Sequence, residues 1–297
     1  MTIALVRVPL GGYRGPGAGR LEGGSLSILL RAPEVAPIVA VLESVRARRG
    51  PAEVHGIAPG LVLDETSDPE TRDAETRDAE MGGAKAGGWT PATRFADGSA
   101  LPALLAAARD RWGASPAAAA ALAWKSYAYW LTLPAVIGYA AAGRIPDLSA
   151  GNVLVRVPGA SPFLEIALRR PRVAVAPGDA LAGRRGVQVT ADLPGYLRRT
   201  AFDAHLAAVL DGLRDLVHIG RRTLLGSLAS GVAYGLTRSA DALPGPILPA
   251  ARRLLTALDV DHLVEIDGTL AVRRRTCCLA FTLPEPKICS GCCIPHA

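Results

Sequence analysis

Lysine is nearly missing from this chain: Lys85, Lys125 and Lys287 are the only three, and arginine supplies the rest of the 33 basic residues. Cysteine does not occur before position 277, and aromatic residues make up 5% of the 297 residues. These shortages exclude several functions. There is no basic stripe interleaved with aromatics and no helix-turn-helix or RNA-binding signature, so a nucleic-acid partner is not expected. The opening MTIALVRVPLGGYRG has no uninterrupted apolar run of the kind a secretory signal needs. The expected compartment is therefore the cytoplasm, where thiols stay reduced. A nucleotide site is also lacking. Gly15, Gly17 and Gly19 are not spaced as G-x-G-x-x-G, and Pro16 with the following LEGGS denies them the helix that would aim amides at a pyrophosphate. Any electrons the protein handles must then come from an external donor.

The composition is otherwise that of a globular protein, with 49% hydrophobic and 20% charged residues. The net charge of +6 is unevenly distributed, because positions 64–80 hold eight acidic and two basic residues. The remainder carries 31 basic against 19 acidic residues, a surplus that suits an anionic surface or an acidic partner. An arginine-rich, lysine-poor composition also follows from base-composition bias in a coding sequence. The acidic stretch repeats ETRDA at 70–74 and 75–79 and runs into MGGAKAGG, a low-complexity segment without core formers. Four segments result: an N-terminal α/β segment at 1–64, an acidic linker or insertion at 65–88, a helical body with a small sheet at 89–259, and a hairpin with a cysteine-rich end at 260–297.

Hydrophobic spacing sets the fold expectation. Short strands are expected within 1–31, and a helix over 36–49 carries Ile38, Val41, Leu42 and Val45 on one face. Leu101, Leu104, Leu105, Ala108 and Trp112 mark another helix, and Ser115-Pro116 forms the start signal of the next. That helix holds 18 uncharged residues between Lys125 and Arg144, a borderline length for a membrane span. Pro134, Ser126, Thr132 and three tyrosines favour a buried central helix kinked at Pro134 instead, and membrane association is not expected. Runs at 152–157, 163–168, 172–176 and 187–191 predict a small antiparallel sheet. Thr200 and Asp203 have the form of a capping box opening a helix over Phe202 to Val217. Further helices follow over Leu225–Leu236 and Arg252–Leu258. Asp267-Gly268 predicts a type I′ hairpin between LVEI and TLAV. The fold class is thus α+β: a mostly helical body with a small antiparallel sheet, ending in a hairpin that leads into the cysteines.

Those cysteines are Cys277, Cys278, Cys289, Cys292 and Cys293, arranged as C-C-x10-C-x2-C with one extra thiol. Such a group forms disulfides, a structural zinc site or an iron–sulfur cluster. Zinc usually takes two chelating C-x2-4-C pairs, and Cys289-x-x-Cys292 is one. The adjacent Cys277 and Cys278 diverge too much to serve one ion easily, whereas an iron–sulfur cluster is a longer object with ligands at both ends. The spacing therefore favours a cluster over zinc. Arg273, Arg274, Arg275 and Lys287 flank the thiols, compensating negative charge or docking an acidic donor.

The segment RRRTCCLAFTLPEPKICSGCCIPHA resembles the C-terminal [2Fe-2S] motif of the FhuF-type ferric siderophore reductases. The likeness covers about the last 25 residues, with a vaguer similarity around 124–157 and 221–236. It implies a [2Fe-2S] cluster held by Cys277, Cys278, Cys289 and Cys292. In that family a proline commonly follows the last cysteine; here Cys293 stands in its place, which makes it an alternative ligand to Cys292. The resemblance also implies an oxidoreductase that passes one electron to Fe(III) in a hydroxamate-type siderophore, so that Fe(II) is released. Oxygen ligands hold Fe(III) much more tightly than Fe(II), so the reaction needs proximity and potential rather than an acid, base or nucleophile. The partners would be a ferric siderophore and a ferredoxin or reduced flavin as donor. The alternatives are a non-enzymatic iron–sulfur protein that binds siderophores or senses redox state, and a siderophore-synthetase-like ligase, for which no ATP site is found. Trp124, Tyr127, Trp130, Arg221 and Arg222 are candidates to line a cleft. His55, His205, His218 and His262 read as structural or surface residues, and His296 as a neighbour of the motif.

Overall fold

The computed structural model describes residues 34–38, 40, 41, 44, 45, 61–63, 88–157, 163–289 and 291–294. The strands expected within 1–31, nearly all of the acidic insertion, His55 and His296 lie outside the described residues. In the first helix Ile38, Val41 and Val45 are buried, as their spacing predicts, and Leu42 lies outside the described residues.

The body is built on one long helix. Following the short α1 (Thr93–Ala96) and α2 (Leu101–Trp112), α3 runs unbroken from Pro116 to Ala142. Ser115 caps it by accepting the amide of Ala118 at 3.4 Å, and Gly113 ends α2 in the left-handed conformation at φ 58°. From Ala118 to Gly138 nearly every residue of α3 is buried, which is why its apolar residues show no single face. The helix passes through Pro134 without ending. Among the described residues no helix is long and apolar enough to cross a membrane.

The expected capping box at Thr200 and Asp203 does not start a helix. The chain is already helical at Leu193, capped by Asp192, whose carboxylate accepts the amide of Gly195 at 2.8 Å. Helix α4 (Leu193–Leu197) passes through a wide π-type stretch, Arg198–Leu206, into α5 (Ala207–Leu216). Thr200 donates back to the carbonyl of Tyr196 and Asp203 pairs with Arg198, so both act within a helix whose true start signal is Asp192 followed by Pro194. Helix α6 (Arg221–Arg238) then packs along α3. Small residues permit the approach: a methyl at Gly235 would lie 3.2 Å from Leu133, and one at Gly231 would lie 3.4 Å from the Tyr129 backbone. Trp124 crosses the seam and donates its indole N–H to the Leu224 carbonyl at 2.6 Å. Helix α7 (Ile247–Ala257) closes the bundle, starting earlier than its sequence pattern indicated.

The small strands flank the helices, and the four β-like runs all form strands. They divide between two sheets. β4 (Val153–Arg156) and β5 (Glu165–Leu168) pair antiparallel, with β2 (Thr90–Pro91) on one edge and β1 (Leu61–Leu63) parallel on the other. β6 (Val173–Val175) instead joins β3 (Arg144–Pro146) antiparallel and β7 (Val187–Val189) parallel. The last hairpin, β8 (Val264–Ile266) and β9 (Val272–Arg274), forms at the expected place. Its turn differs from expectation, spanning residues 267–271 rather than a two-residue Asp-Gly turn. Asp267 Oδ1 accepts from the amides of Thr269 and Ala271, and Leu270 rather than Gly268 takes the positive φ, 64°. The second strand therefore reaches Arg274, three residues from the first cysteine.

Candidate functional site

The cysteine segment is fixed to the body at three points. Thr276 lies so close to Gly226 of α6 that a methyl there would fall 1.8 Å from the Thr276 hydroxyl; only glycine admits this approach. The amide of Arg275 donates to the Leu263 carbonyl at 3.0 Å, and the amide of Arg274 donates to the Gly291 carbonyl at 2.8 Å. The last contact brings the end of β9 against the C-x-x-C loop. Between the two, Leu279 adopts φ 62°, Ala280–Thr282 form a single 3-10 turn, and Lys287 N–H donates to the Ala280 carbonyl at 3.0 Å. The chain is thereby folded back through Pro284–Pro286, and Cys289 comes within hydrogen-bonding reach of Cys278.

All five thiols are free. Cys278 is buried, Cys277, Cys289 and Cys292 are half-buried, and Cys293 is exposed. Cys289 shares a hydrogen bond with Cys278, which holds the Cys278 thiol well below its usual range; Lys125, the Ala280 amide and Arg274 act in the same direction against burial. Cys289, the donor, is pushed up correspondingly. Burial raises Cys277, and Cys278, Cys293 and Cys292 lie close enough to add to this. Backbone amides also point at sulfur: Leu279 N–H donates to Cys277 Sγ at 3.3 Å, and Ile294 N–H to Cys292 Sγ at 3.5 Å. The positive φ of Leu279 places its amide there, a backbone cost found at sites where geometry matters.

Arg274 is the unusual charge in this region. It is 1% exposed, larger than any other fully buried side chain except Trp124, and its Nη2 donates to Ser227 at 3.0 Å. Its Nε and Nη1 have no hydrogen-bond partner, and no carboxylate pairs with it among the described residues. A buried guanidinium without an anion is costly. The groups positioned to offset it are Cys278, Cys289 and Cys293, which feel its field.

Cys278 and Cys289 form part of the wall of a pocket of about 470 Å³ between α3, α6 and the cysteine segment. Lys125, Tyr129 and Trp130 line it from α3, Ser227, Ser230, Tyr234 and Arg238 from α6, and Lys287 from the cysteine loop. Of the cleft candidates read from sequence, only Trp130 lies here. Trp124 is a core residue, Tyr127 is buried and bonded to His205, and Arg221 and Arg222 are exposed, Arg221 pairing with Asp211. His205 is a fully buried structural residue and His262 is exposed, as expected. The missed residues left a readable signal, a polar stripe at helical spacing in two otherwise apolar helices: Lys125 and Tyr129 on one, Ser230, Tyr234 and Arg238 on the other.

One group of three His, Cys, Asp or Glu donor atoms lies mutually within 4.8 Å among the described residues: the exposed Asp259, Asp261 and His262. The thiols are not gathered around a single point in that way. Four sulfurs on one tetrahedral zinc would lie about 3.8 Å apart, given Zn–S bonds of ~2.3 Å. No protein-family model matches the chain, and no curated protein matches it.

Proposed function

We propose that this protein is a cytoplasmic ferric-siderophore reductase in which Cys277, Cys278, Cys289 and Cys292 hold a [2Fe-2S] cluster beside a substrate pocket. The observation that carries this reading is the placement of Cys278 and Cys289 on the wall of that pocket. Several features of the donor set fit such a cluster. Four thiols come from two short segments, amides donate to two of the sulfurs, and the buried Arg274 lacks an anion that thiolate-bound iron would supply. When bound, the cluster would supply one electron at a time to Fe(III).

The protein's own residues would do the rest. Trp130, Tyr129 and Tyr234 give the pocket aromatic walls that can hold a chelate against the Cys278–Cys289 side. Arg274, buried behind the thiols, offsets the charge of the cysteine site, which favours its more negative state. Electrons would arrive from a ferredoxin or reduced flavin, and the exposed Arg273, Arg275 and Lys287 provide a positive surface for an acidic donor. Release follows from the weaker hold of oxygen ligands on Fe(II).

The deciding experiment is anaerobic purification with iron and acid-labile sulfide assays, then electron paramagnetic resonance after dithionite reduction. The reading expects about two irons and two sulfides per chain, an S = 1/2 signal lost in Cys278→Ser, and Fe(II) release from ferric hydroxamates in the presence of an Fe(II) trap. Stoichiometric zinc without sulfide, even after anaerobic reconstitution, would refute it. A cluster that forms but never releases Fe(II) would assign the protein to siderophore binding or redox sensing.

A further inference from the structure

The pocket contains three cationic side chains and no acidic one. Lys125 enters from α3, Arg238 from α6 and Lys287 from the cysteine loop, and Asp and Glu are absent from its lining. None of the three cations is paired with a carboxylate among the described residues, in contrast to Arg144, Arg156 and Arg198 elsewhere, each of which holds an acidic partner. Arg238 instead stacks on the ring of Tyr234 with its guanidinium carbon 4.8 Å from the ring centroid, which orients it without neutralising it. A second observation points the same way. The Tyr129 hydroxyl is buried on the pocket wall beside the Arg238 guanidinium, which can only donate to it, so no group takes the hydroxyl's own proton, although nearly every buried polar group in a folded protein is satisfied. It is a donor awaiting an acceptor.

We infer that the pocket selects trivalent-metal chelates of net negative charge, whose carboxylate or catecholate oxygens meet Lys125, Arg238 and Lys287 and accept from Tyr129. This inference rests on the reductase reading for the identity of the metal, but not for the charge selection. A neutral tris-hydroxamate offers the same metal-bound oxygen shell with no surplus charge for the three cations. An anionic chelate satisfies them, and the aromatic walls formed by Tyr129, Trp130 and Tyr234 pack against the ligand framework. Such selection is electrostatic, so it weakens as salt is added.

The test uses gallium(III), which accepts no electron under these conditions and therefore separates binding from reduction. Three hexadentate gallium chelates are titrated into the full-length protein: a trianionic tris-catecholate, a citrate-type carboxylate chelate of net negative charge, and a neutral tris-hydroxamate. Binding is followed by calorimetry and by the fluorescence of Trp112 and Trp130, which line the pocket. The expected result is that at least one anionic chelate binds about tenfold or more tightly than the neutral one, the scale of one charge-assisted contact. The preference should shrink with salt and in Arg238→Gln, whose exposed position makes it a mild substitution for the fold. The catecholate and carboxylate arms show which oxygen chemistry is preferred. Equal binding of the neutral chelate, no binding of any chelate, or a loss in Arg238→Gln that is the same for all three would overturn the inference. If anionic gallium chelates bind while the protein holds no iron and sulfide, the reductase reading fails and the charge selection stands. If ferric hydroxamates are reduced without any preference for negative charge, the reverse holds.

Discussion

The amide of Arg274 donates to the carbonyl of Gly291 across 2.8 Å, joining the last strand to the C-x-x-C loop 17 residues later. One residue thus has two functions. Its backbone sets where the second pair of cysteines lies relative to the first, and its side chain turns inward as a buried cation beneath them. The geometry of the cysteine site and its charge balance therefore depend on the same position.

Gly291 makes that junction possible, because a methyl there would fall 2.0 Å from the Val272 carbonyl oxygen and 2.5 Å from the Tyr234 hydroxyl. The first is backbone and cannot rotate away. Gly291→Ala should push the C-x-x-C loop off β9, costing about 1–3 kcal/mol. The helical body does not depend on this contact. The expected result is a far-UV circular dichroism spectrum like that of the parent, with most of the bound iron lost. Retention of full iron content would show that the loop finds another seat.

Arg274→Met separates charge from packing, since methionine fills much of the same space without the guanidinium. In protein stripped of metal, the substitution removes a buried unpaired cation, and stability should hold or rise. In cluster-loaded protein it removes the compensating charge. The reduction potential should then fall by on the order of 60 mV, a tenfold change in a one-electron equilibrium. A redox titration followed by visible absorbance measures this. An unchanged or higher potential would mean that Arg274 serves packing alone.

What could be read from the sequence followed from local chemistry. The helix start at Ser115-Pro116 and the buried spacing of Phe202 to Leu213 were both visible in residue order. The errors came where a tertiary contact overrode a local signal. Asp267-Gly268 has the composition of a two-residue turn, yet Asp267 instead closes a longer loop with its own side chain, and Leu270 takes the left-handed backbone. Thr200 and Asp203 match a capping box, yet the chain is already helical when it reaches them. The pocket was missed for another reason. Trp124 and Tyr127 are candidates for a cleft on residue type, but their polar atoms are bonded within the core, to Leu224 and to His205. Which face of α3 meets the pocket is settled by α6, more than 80 residues further along.

The extra thiol gives a further prediction. Cys293 is exposed, while Cys292 is half-buried and its sulfur accepts the Ile294 amide. If Cys292 is the ligand, Cys293→Ser should keep iron and sulfide near the parental level, and Cys292→Ser should lose most of both. Loss in Cys293→Ser with retention in Cys292→Ser would move the fourth ligand by one position.

His205 provides a pH prediction that is independent of the cysteines. Its Nδ1 lies 2.8 Å from the Leu148 carbonyl, which can only accept, so Nδ1 carries the proton and Nε2 accepts from the Tyr127 hydroxyl at 2.7 Å. The ring is fully buried, and burial lowers its pKa from 6.5 to about 4, against a smaller opposing effect of the Leu148 carbonyl. The unfolded chain therefore binds a proton that the folded chain refuses across that interval. The contribution is fully present above about pH 6.5 and is lost as the pH falls toward about 4. At the lower end the loss is on the order of 3 kcal/mol. Urea unfolding at a series of pH values across that window should show stability falling with acidity. In His205→Gln, whose amide can still donate to Leu148 and accept from Tyr127, that part of the slope should disappear while the variant remains folded. An equal slope in both proteins would place the titrating group elsewhere.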